Sequence, residues 1–102
     1  MSFEWDETKR ARNIAKHGVD FASASLIFDG KTVEGSDGRR DYGERRLAAY
    51  GQVLGAVLFV IYTWRSGRRR LISARRAGIH EREAYFKIIA DEGESNAGPP
   101  DV

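Results

Sequence analysis

The feature that most constrains this chain is a run of seven apolar residues, Ala56 to Tyr62, between two glycine-containing turns. The run is far too short to cross a membrane as a helix, but it has the length of a strand. A strand that is apolar at nearly every position is expected to be covered on both faces. The run therefore predicts a central strand of a sheet.

Two-residue turns flank this strand, at Leu54-Gly55 and Ser66-Gly67, and are typical of hairpins. They predict an antiparallel meander of about four strands, over Thr32 to Glu34, Arg45 to Gln52, Ala56 to Trp64 and Arg69 to Arg76. Gly35 to Gly38 has the composition of a turn. Side chains of the last strand should alternate between two faces, with Leu71, Ser73 and Arg75 on one and Ile72, Ala74 and Arg76 on the other.

Two short helices are expected before the strands. The first is predicted from Asp6, an N-cap candidate, to His17, because Gly18 can adopt the left-handed conformation that ends many helices. The side chains expected to face the core are Ala11 and Ile14. Asp20 can cap the second helix, whose inward residues recur at helical spacing as Phe21, Ala24, Ser25 and Phe28.

A last helix is predicted from about His80 to Asp91. Its apolar stripe is expected to pack on the sheet and consists of Ile79, Phe86, Ile89 and Ala90. Glu92 to Val102 has almost nothing to bury, and we expect a flexible tail there. The sequence thus predicts a single α+β domain over residues 1–91 and a tail over residues 92–102.

The charge of the chain is unevenly distributed. Its net charge is only +2, yet Arg39 to Arg76 contains ten Arg against Asp41 and Glu44. Guanidinium groups pair with phosphate in a planar, two-pronged geometry, so this excess suits a polyanion. A solvated sheet face is the alternative explanation.

Several classes of chemistry are excluded or disfavoured. The chain has no Cys, hence no disulfide or thiolate, and it has no glycine-rich phosphate loop. His17 and His80 lack metal-ligand spacing, so we expect no metal and no cofactor. The acids Glu4, Asp6 and Glu7 are unlike a signal peptide, and a cytoplasmic protein without membrane contact is expected.

A polar set on the first helix could support metal-independent RNA cleavage, which needs proton transfer and stabilisation of a phosphorane. Lys9, Asn13 and His17 lie at i, i+4 and i+8, with Lys16 beside them. His17 is also in the last turn, where the helix dipole favours a cation, and Asn13 could hold a neighbouring loop. Both explanations remain open from the sequence.

Aromatic and basic residues at the end of the central hairpin could bind single-stranded RNA. Tyr62 and Trp64 share a face, and the bases beside them are Arg65, Arg68, Arg69 and Arg70. Aromatic rings stack unpaired bases while guanidiniums hold phosphate. The alternative is that both rings belong to the core.

Arg75 and Arg76 are consecutive in a strand, so one of them must face a covered side of the sheet. The partners that could orient it are Glu44, Glu83 and Tyr85. A structural ion pair is the alternative to a functional Arg.

The motifs of the chain resemble those of the BrnT toxin family over about residues 3 to 86. The matching pieces, in order, are Phe3-Glu4-Trp5-Asp6, Lys9, Asn13, Lys16-His17-Gly18-Val19, Phe21, Glu44-Arg45-Arg46, Val60-Ile61-Tyr62-Thr63, Arg65, Ile72-Ser73-Ala74-Arg75-Arg76-Ala77, Glu81, Glu83 and Tyr85. Their combination is specific, although no single piece is.

The resemblance implies a RelE-like α+β fold and a ribonuclease that stops translation. It also implies a BrnA-like antitoxin with a ribbon-helix-helix DNA-binding domain, and a complex of both proteins that represses its own promoter, so that operator DNA is contacted through the antitoxin. The residues carried over as catalytic candidates are Lys16, His17, Arg65, Arg75 and Arg76.

We therefore expect a toxin that cleaves RNA as a metal-independent endoribonuclease. Arg65, Arg75 and Arg76 would bind phosphate, His17 or Lys16 would transfer protons, and Glu44 or Glu83 would orient an Arg. One alternative is a non-catalytic module that binds nucleic acid or an acidic protein through the Arg-rich sheet. Another is a purely structural adaptor.

Overall fold

The computed structural model describes residues 2–38 and 43–97. In chain order they form β1 (Phe3–Glu4), α1 (Glu7–His17), α2 (Phe21–Ala24), a 3₁₀ helix (Ser25–Asp29), β2 (Val33–Ser36), β3 (Leu47–Val53), β4 (Ala56–Arg65), β5 (Arg68–Arg76) and α3 (Ile79–Ala97). Three residues of the predicted charged segment, Arg39, Arg40 and Asp41, lie outside the described residues. Within the described ranges, the helices are too short or too polar to span a membrane.

The α+β class is confirmed, but the sheet has five strands rather than about four. Its order is β1-β5-β4-β3-β2, and the predicted antiparallel meander forms its larger part. The missed strand, β1, pairs in parallel with β5 through Phe3 opposite Arg69 and Glu4 opposite Arg70. The sheet is therefore mixed, because a two-residue strand paired with a distant segment leaves no periodic signal in the sequence.

The apolar run forms the centre of the sheet, as predicted. Val57, Leu58, Val60, Ile61 and Tyr62 are all at most 5% exposed. One face of the strand, here called the core face, packs against α2 and the 3₁₀ helix through Leu58, Val60 and Tyr62. The opposite face, here called the α3 face, carries Phe59 and Arg75. Burying a large apolar side chain contributes about 1.5–3 kcal/mol, so this layer supplies much of the folding free energy.

The core face leaves no room for a side chain at Gly51 of β3. A Cβ atom built there would lie 2.5 Å from the Cβ atom of Ile27, which is fully buried in the 3₁₀ helix. The absence of a side chain thus lets the 3₁₀ helix approach the sheet closely.

Both predicted hairpin turns are present. Leu54 and Gly55 have φ of 50° and 83°, and Ser66 and Gly67 have φ of 54° and 76°. Two successive positive φ values are the geometry that matches the twist of paired strands. Leu54 is nonetheless an unusual residue for a left-handed position, and its side chain is fully exposed.

The predicted turn after β2 is displaced. Gly35 and Ser36 belong to the strand and pair with Ala48 and Leu47 of β3. The prediction that a turn begins at Gly35 is therefore wrong, since strand pairing outweighs the local preference of Gly and Ser.

A β-bulge overturns the alternation predicted for β5. Tyr62 pairs with Leu71 and Ile61 pairs with Ser73, so Ile72 has no partner in β4. Beyond the bulge, the order in which side chains alternate between the two faces reverses, so Leu71 and Ala74 both belong to the buried core. Leu71 therefore does not share a face with Ser73 and Arg75, as strict alternation had predicted.

Helix α1 has the predicted ends but not the predicted inner face. Asp6 caps it by accepting from the backbone N–H of Lys9, and Gly18 ends it with φ of 70°. The side chain of Ile14 is 41% exposed and Ala11 is exposed too, so the prediction that they face the core is wrong. The buried residue of this helix is Asn13.

The second helix begins as predicted, with Asp20 accepting from the backbone N–H of Ala22. After Ala24 it tightens into the 3₁₀ helix, where Ser25 donates to the carbonyl of Ala22. A side-chain bond to the preceding turn is one way in which Ser competes with regular helix geometry.

Helix α3 turns a different stripe toward the sheet than the sequence predicted. Ile79 is 57% exposed, and Phe86 and Ala90 are exposed too. The inward residues are Glu81, Tyr85 and Ile89, spaced four residues apart. The predicted stripe is therefore wrong for Ile79, Phe86 and Ala90 and right for Ile89. The ion pair between Glu81 and Arg75 holds the helix in this rotation. The helix also extends beyond Asp91 to Ala97, while residues 98–102 of the predicted tail lie outside the described residues.

Candidate functional site

Much of the positive charge on the strands is paired within the molecule. Carboxylates bind three of these arginines, in Arg46–Glu44 at 3.3 Å, Arg70–Glu4 at 3.0 Å and Arg75–Glu81 at 2.9 Å, and Arg65 lies 3.8 Å from Glu44. The charge excess read from the sequence therefore overstates what these strands can offer to an external anion.

Arg75 is the most firmly held of these side chains. Its two terminal nitrogens donate to the two carboxylate oxygens of Glu81, each at 2.9 Å, and one of them also donates to the carbonyl of Arg76. Its guanidinium carbon lies 4.5 Å from the ring centre of Phe59. This two-pronged, ring-stacked arrangement fixes Arg75 on the α3 face.

Glu81 accepts from two further donors. The hydroxyl of Tyr50 donates to it at 2.8 Å, and the backbone N–H of Gly78 donates at 2.7 Å. The bonds from Arg75 and Gly78 lower the pKa of Glu81 to about 2. Burial, together with the bond to Glu81, raises the pKa of Tyr50 to about 12. The carboxylate thus stays charged and also caps the start of α3.

The carboxylate that binds Arg75 belongs to Glu81, which was not among the partners predicted for Arg75 or Arg76. Glu44 interacts with Arg46 and Arg65, while Glu83 lies 3.7 Å from His80. The hydroxyl of Tyr85 donates to the carbonyl of Lys31 at 2.8 Å. The sequence did hold a signal for Glu81, because an acid three residues after Gly78 is in the position of a capping box.

Arg76 lies on the core face, opposite Leu58, and points away from Arg75. Its side chain is exposed and lines a groove of about 340 Å³ together with Leu54 and Arg82. Arg75 and Arg76 therefore do not form one phosphate site.

The aromatic residues at the end of the β4–β5 hairpin surround Arg69. The guanidinium carbon of Arg69 lies 4.1 Å from the ring centre of Phe28, 4.6 Å from that of Trp64 and 5.3 Å from that of Tyr62. Tyr62 is 3% exposed and its hydroxyl donates to Glu34 at 2.5 Å, whereas Trp64 is 51% exposed. Of the two predicted stacking residues, only Trp64 can meet a base in this arrangement.

Beside Trp64 is a cavity of about 490 Å³, lined by Glu44, Arg45, Leu47, Tyr62, Thr63 and Trp64. Thr63 holds the segment before β3 by donating to the carbonyl of Arg45. The guanidinium of Arg45 and that of Arg68, at the start of β5, are exposed. This end of the sheet thus offers one open ring with cations nearby.

A second group of cations lies on α1. Lys9, Arg12, Lys16 and His17, here called the α1 cation row, line a cavity of about 230 Å³ beside Ile72 and Ser73 of β5. None of the four has an ion pair or a side-chain hydrogen bond within residues 2–38 and 43–97. No acid lines this cavity. The sequence analysis missed Arg12, although its spacing of three and four residues from Lys9 and Lys16 places it on their face.

Arg10, another basic residue near the start of α1, is held by two carboxylates. Arg10 donates to both carboxylate oxygens of Asp20, each at 2.8 Å, and to Glu7 at 3.2 Å. The bond from Arg10 lowers the pKa of Asp20 to about 2. Arg10 therefore joins α1 to the start of α2, and the row on the opposite side of the helix is left for other partners.

Asn13 positions the row against the sheet. Its side chain accepts from the backbone N–H of Ala74 at 3.1 Å and donates to the carbonyls of Ala74 at 2.7 Å and Val19 at 2.9 Å. The amide thus satisfies both the backbone N–H and the C=O of Ala74. These two groups lie beyond the part of β5 that pairs with β1. Asn13 is a structural residue, as the alternative reading of the sequence proposed.

A comparison with models of protein families identifies the family of the chain. Residues 5–81 match the model of the family described as "Ribonuclease toxin, BrnT, of type II toxin-antitoxin system". The chain belongs to the BrnT family. A search among curated proteins finds no match.

The BrnT match covers both candidate regions. It includes α1 with its cation row, all of β2 to β5, and ends at Glu81, the partner of Arg75. The family description makes the chain a ribonuclease toxin of a type II system, and an antitoxin partner follows from it. The rest of α3 lies beyond the BrnT match.

The row and the neighbouring strand edge are chemically suited to a phosphodiester. Four cationic or protonatable groups in a cavity without acids can bind phosphate oxygens, and Lys or His can also transfer protons. In the part of the chain that the structure describes, no three His, Asp or Glu side chains come together as metal ligands.

Proposed function

We propose that the chain is an endoribonuclease that cleaves RNA through its own 2′-hydroxyl group, without a metal, and that the α1 cation row is the phosphate-binding centre. The observation that carries the proposal is the unpaired row itself, with Lys9, Arg12, Lys16 and His17 around one acid-free cavity. A scissile phosphate placed there would meet positive charge on one side and the edge of β5 on the other.

In this reaction the 2′-oxygen attacks the adjacent phosphorus, and the bond from phosphorus to the 5′-oxygen breaks. One side chain takes the 2′-hydroxyl proton and another protonates the departing 5′-oxygen, which leaves a 2′,3′-cyclic phosphate and a 5′-hydroxyl. We assign the two proton transfers to His17 and Lys16, in the last turn of α1. Lys9 and Arg12 then stabilise charge on the phosphorane.

Residues at the far end of the sheet would hold the RNA on either side of the cleaved bond. Trp64 is open for stacking on a base, and the guanidinium of Arg69 lies on its ring. Arg65 and Arg68 lie at the adjoining turn, and Arg70, which is bound by Glu4, is one residue further along β5. Arg75 supports the site indirectly, by fixing α3 to the sheet, and Arg76 lies on another surface.

The biological role follows from membership of a type II system. We propose that cleavage stops translation in the cytoplasm, and that a BrnA-like antitoxin with a ribbon-helix-helix domain blocks it and carries the pair to operator DNA. A RelE-like arrangement of the sheet and helices is part of the same proposal.

The test uses chain made by cell-free synthesis and a short RNA in excess chelator. We expect cleavage with cyclic phosphate ends, and its loss in the double variant Lys16→Ala, His17→Ala. Lys87→Ala, a cation on α3 outside the row, is the matched control. Intact RNA with a folded protein would exclude metal-independent cleavage, and equal activity of the double variant would exclude the row.

A second function has one observation in its favour. The Arg69 stack with Phe28, Tyr62 and Trp64 is a preformed platform that could hold nucleic acid without cutting it. RNA that is retained and never cut, with binding that weakens steeply as salt is added, would favour this module.

A further inference from the structure

The turn between β3 and β4 is the most exposed apolar point of the described chain. Leu54 is fully exposed there, at a left-handed φ of 50° that Gly or Asn would adopt with less strain. Neither the fold nor the proposed ribonuclease site uses its side chain. A fully exposed apolar residue at a turn position that polar residues adopt more easily points to a contact with something outside the chain.

Three neighbouring depressions meet at Leu54. One, of about 340 Å³, runs along the start of β4 to Arg76 and Arg82. A second, of about 390 Å³, leads to Tyr85 and Ile89 on α3, and a third, of about 370 Å³, leads to Val19 after α1. Together they form a branched groove, here called the Leu54 groove.

Helix α3 lines this groove through Arg82, Tyr85 and Ile89, and it also carries exposed apolar residues. Ile79 is 57% exposed and Phe86 is 42% exposed, and Arg82 lies between them on the same side of the helix. Leu54 and the two guanidinium groups of Arg76 and Arg82 thus line one surface, and exposed apolar side chains of α3 flank Arg82 along the helix. Exposed apolar surface with arginine side chains beside it is typical of a protein-binding site.

The charges of the groove indicate which side chains a partner should carry. Arg76 and Arg82 have no ion pair or side-chain hydrogen bond to any residue the structure describes, and no acid lines the depression that they share. Asp20, at the edge of the third depression, is bound by Arg10. A segment with acidic and apolar side chains would complement both features.

We propose that the Leu54 groove is the docking surface for the antitoxin of this type II system, which places an acidic, apolar segment against Leu54, Arg76 and Arg82. RNA is a poorer fit, because Leu54, the residue shared by all three depressions, is aliphatic and cannot stack on bases. The inference rests on the family membership of the chain and on the antitoxin that it implies. It does not require the α1 cation row to be catalytic.

The test compares binding of the antitoxin of this type II system to the full chain and to two variants, Leu54→Asp and Arg82→Glu. Each should raise the Kd in calorimetry at least 10-fold, since each puts a negative charge into the groove. Leu54→Asp should fold normally, because Asp adopts a left-handed turn position more readily than Leu. RNA cleavage by both variants should match that of the unmodified chain.

Leu26→Asp is the matched control, because Leu26 is a half-exposed leucine on the 3₁₀ helix and lines none of the three depressions. Its Kd should stay within threefold. Unchanged antitoxin binding in both groove variants would overturn the proposal, as would equal weakening by Leu26→Asp. Loss of RNA binding with intact antitoxin binding would make the groove an RNA surface. An unmodified chain that binds antitoxin through Leu54 but never cuts RNA would refute the proposed function and leave this inference standing.

Discussion

The α1 cation row and the arginine-rich strands carry the same kind of charge but differ in what surrounds it. On the strands, Arg46, Arg70 and Arg75 each lie within 3.3 Å of a carboxylate. In the row, the four side chains share a cavity without any acid. Local charge in a sequence therefore does not locate an anion site. The carboxylates that the fold brings to that charge decide how much remains available.

The largest expected effect follows from removing the two residues at the end of the row. Lys16→Ala combined with His17→Ala should lower kcat/KM for RNA cleavage at least about 100-fold, because both proton transfers are lost. The measurement is the initial rate of cleavage of a fluorescent RNA. Arg46→Ala removes a paired cation and should change the rate less than about threefold. Equal losses in both variants would abolish the distinction between the two regions.

Removing an ion pair on the arginine-rich strands should instead lower the free energy of unfolding. Glu81→Gln leaves Arg75 without its carboxylate and weakens the bonds from Tyr50 and Gly78, so it should lower the free energy of unfolding by about 2 kcal/mol. Urea denaturation measures this difference. Glu83→Gln, on an exposed part of α3, should change it by less than about 0.5 kcal/mol. A Glu81 variant as stable as the unmodified chain would show that the ion pair does not hold α3.

Lowering the pH should also reduce the stability of the fold, because it neutralises the carboxylates of these ion pairs. The pKa of Glu81 and that of Asp20 are each about 2 in the folded protein, below the ordinary values of 4.5 and 3.8. Their contribution is complete above the ordinary values and is lost as pH falls toward 2. Between pH 6 and pH 3, unfolding free energy should drop by about 1 kcal/mol more in the unmodified chain than in Glu81→Gln, allowing for solvent screening. Parallel pH profiles would contradict the pairing.

The smallest expected effect is on how strongly added salt weakens RNA binding. Lys9→Ala with Arg12→Ala should reduce the slope of log Kd against log salt by about 1.4 for a single-stranded RNA, since each cation that contacts phosphate contributes about 0.7. A 2′-O-methyl RNA, which cannot be cut, isolates binding. Arg46→Ala should leave the slope unchanged. A slope that falls with Arg46 instead would place the RNA on the strands.

Features with a local cause could be predicted from the sequence. The cap at Asp6, the end at Gly18 and both hairpin turns depend on residues within a few positions of one another. The central strand followed from its composition alone. The family membership was also anticipated, because motifs spread over most of the chain occur in a specific order.

The rest depends on contacts between distant segments. The bulge at Ile72 changes the face of Leu71, and the adjacent apolar pair Leu71-Ile72 does not by itself indicate a bulge. The rotation of α3 depends on the ion pair between Arg75 and Glu81, which simple hydrophobic periodicity ignores. Of the residues predicted for the candidate site, Lys9, Lys16 and His17 line one cavity. Which charges are paired could be seen only in the folded chain.

The amide of Asn13 has a consequence for the behaviour of the protein in a crowded cell. A sheet edge with open N–H and C=O groups is a template on which another chain can add a strand and begin to aggregate. By occupying both groups of Ala74, Asn13 closes β5 to such growth where β1 ends. One helix side chain thus protects the part of the β5 edge that β1 does not cover, while α1 presents its cations beside it.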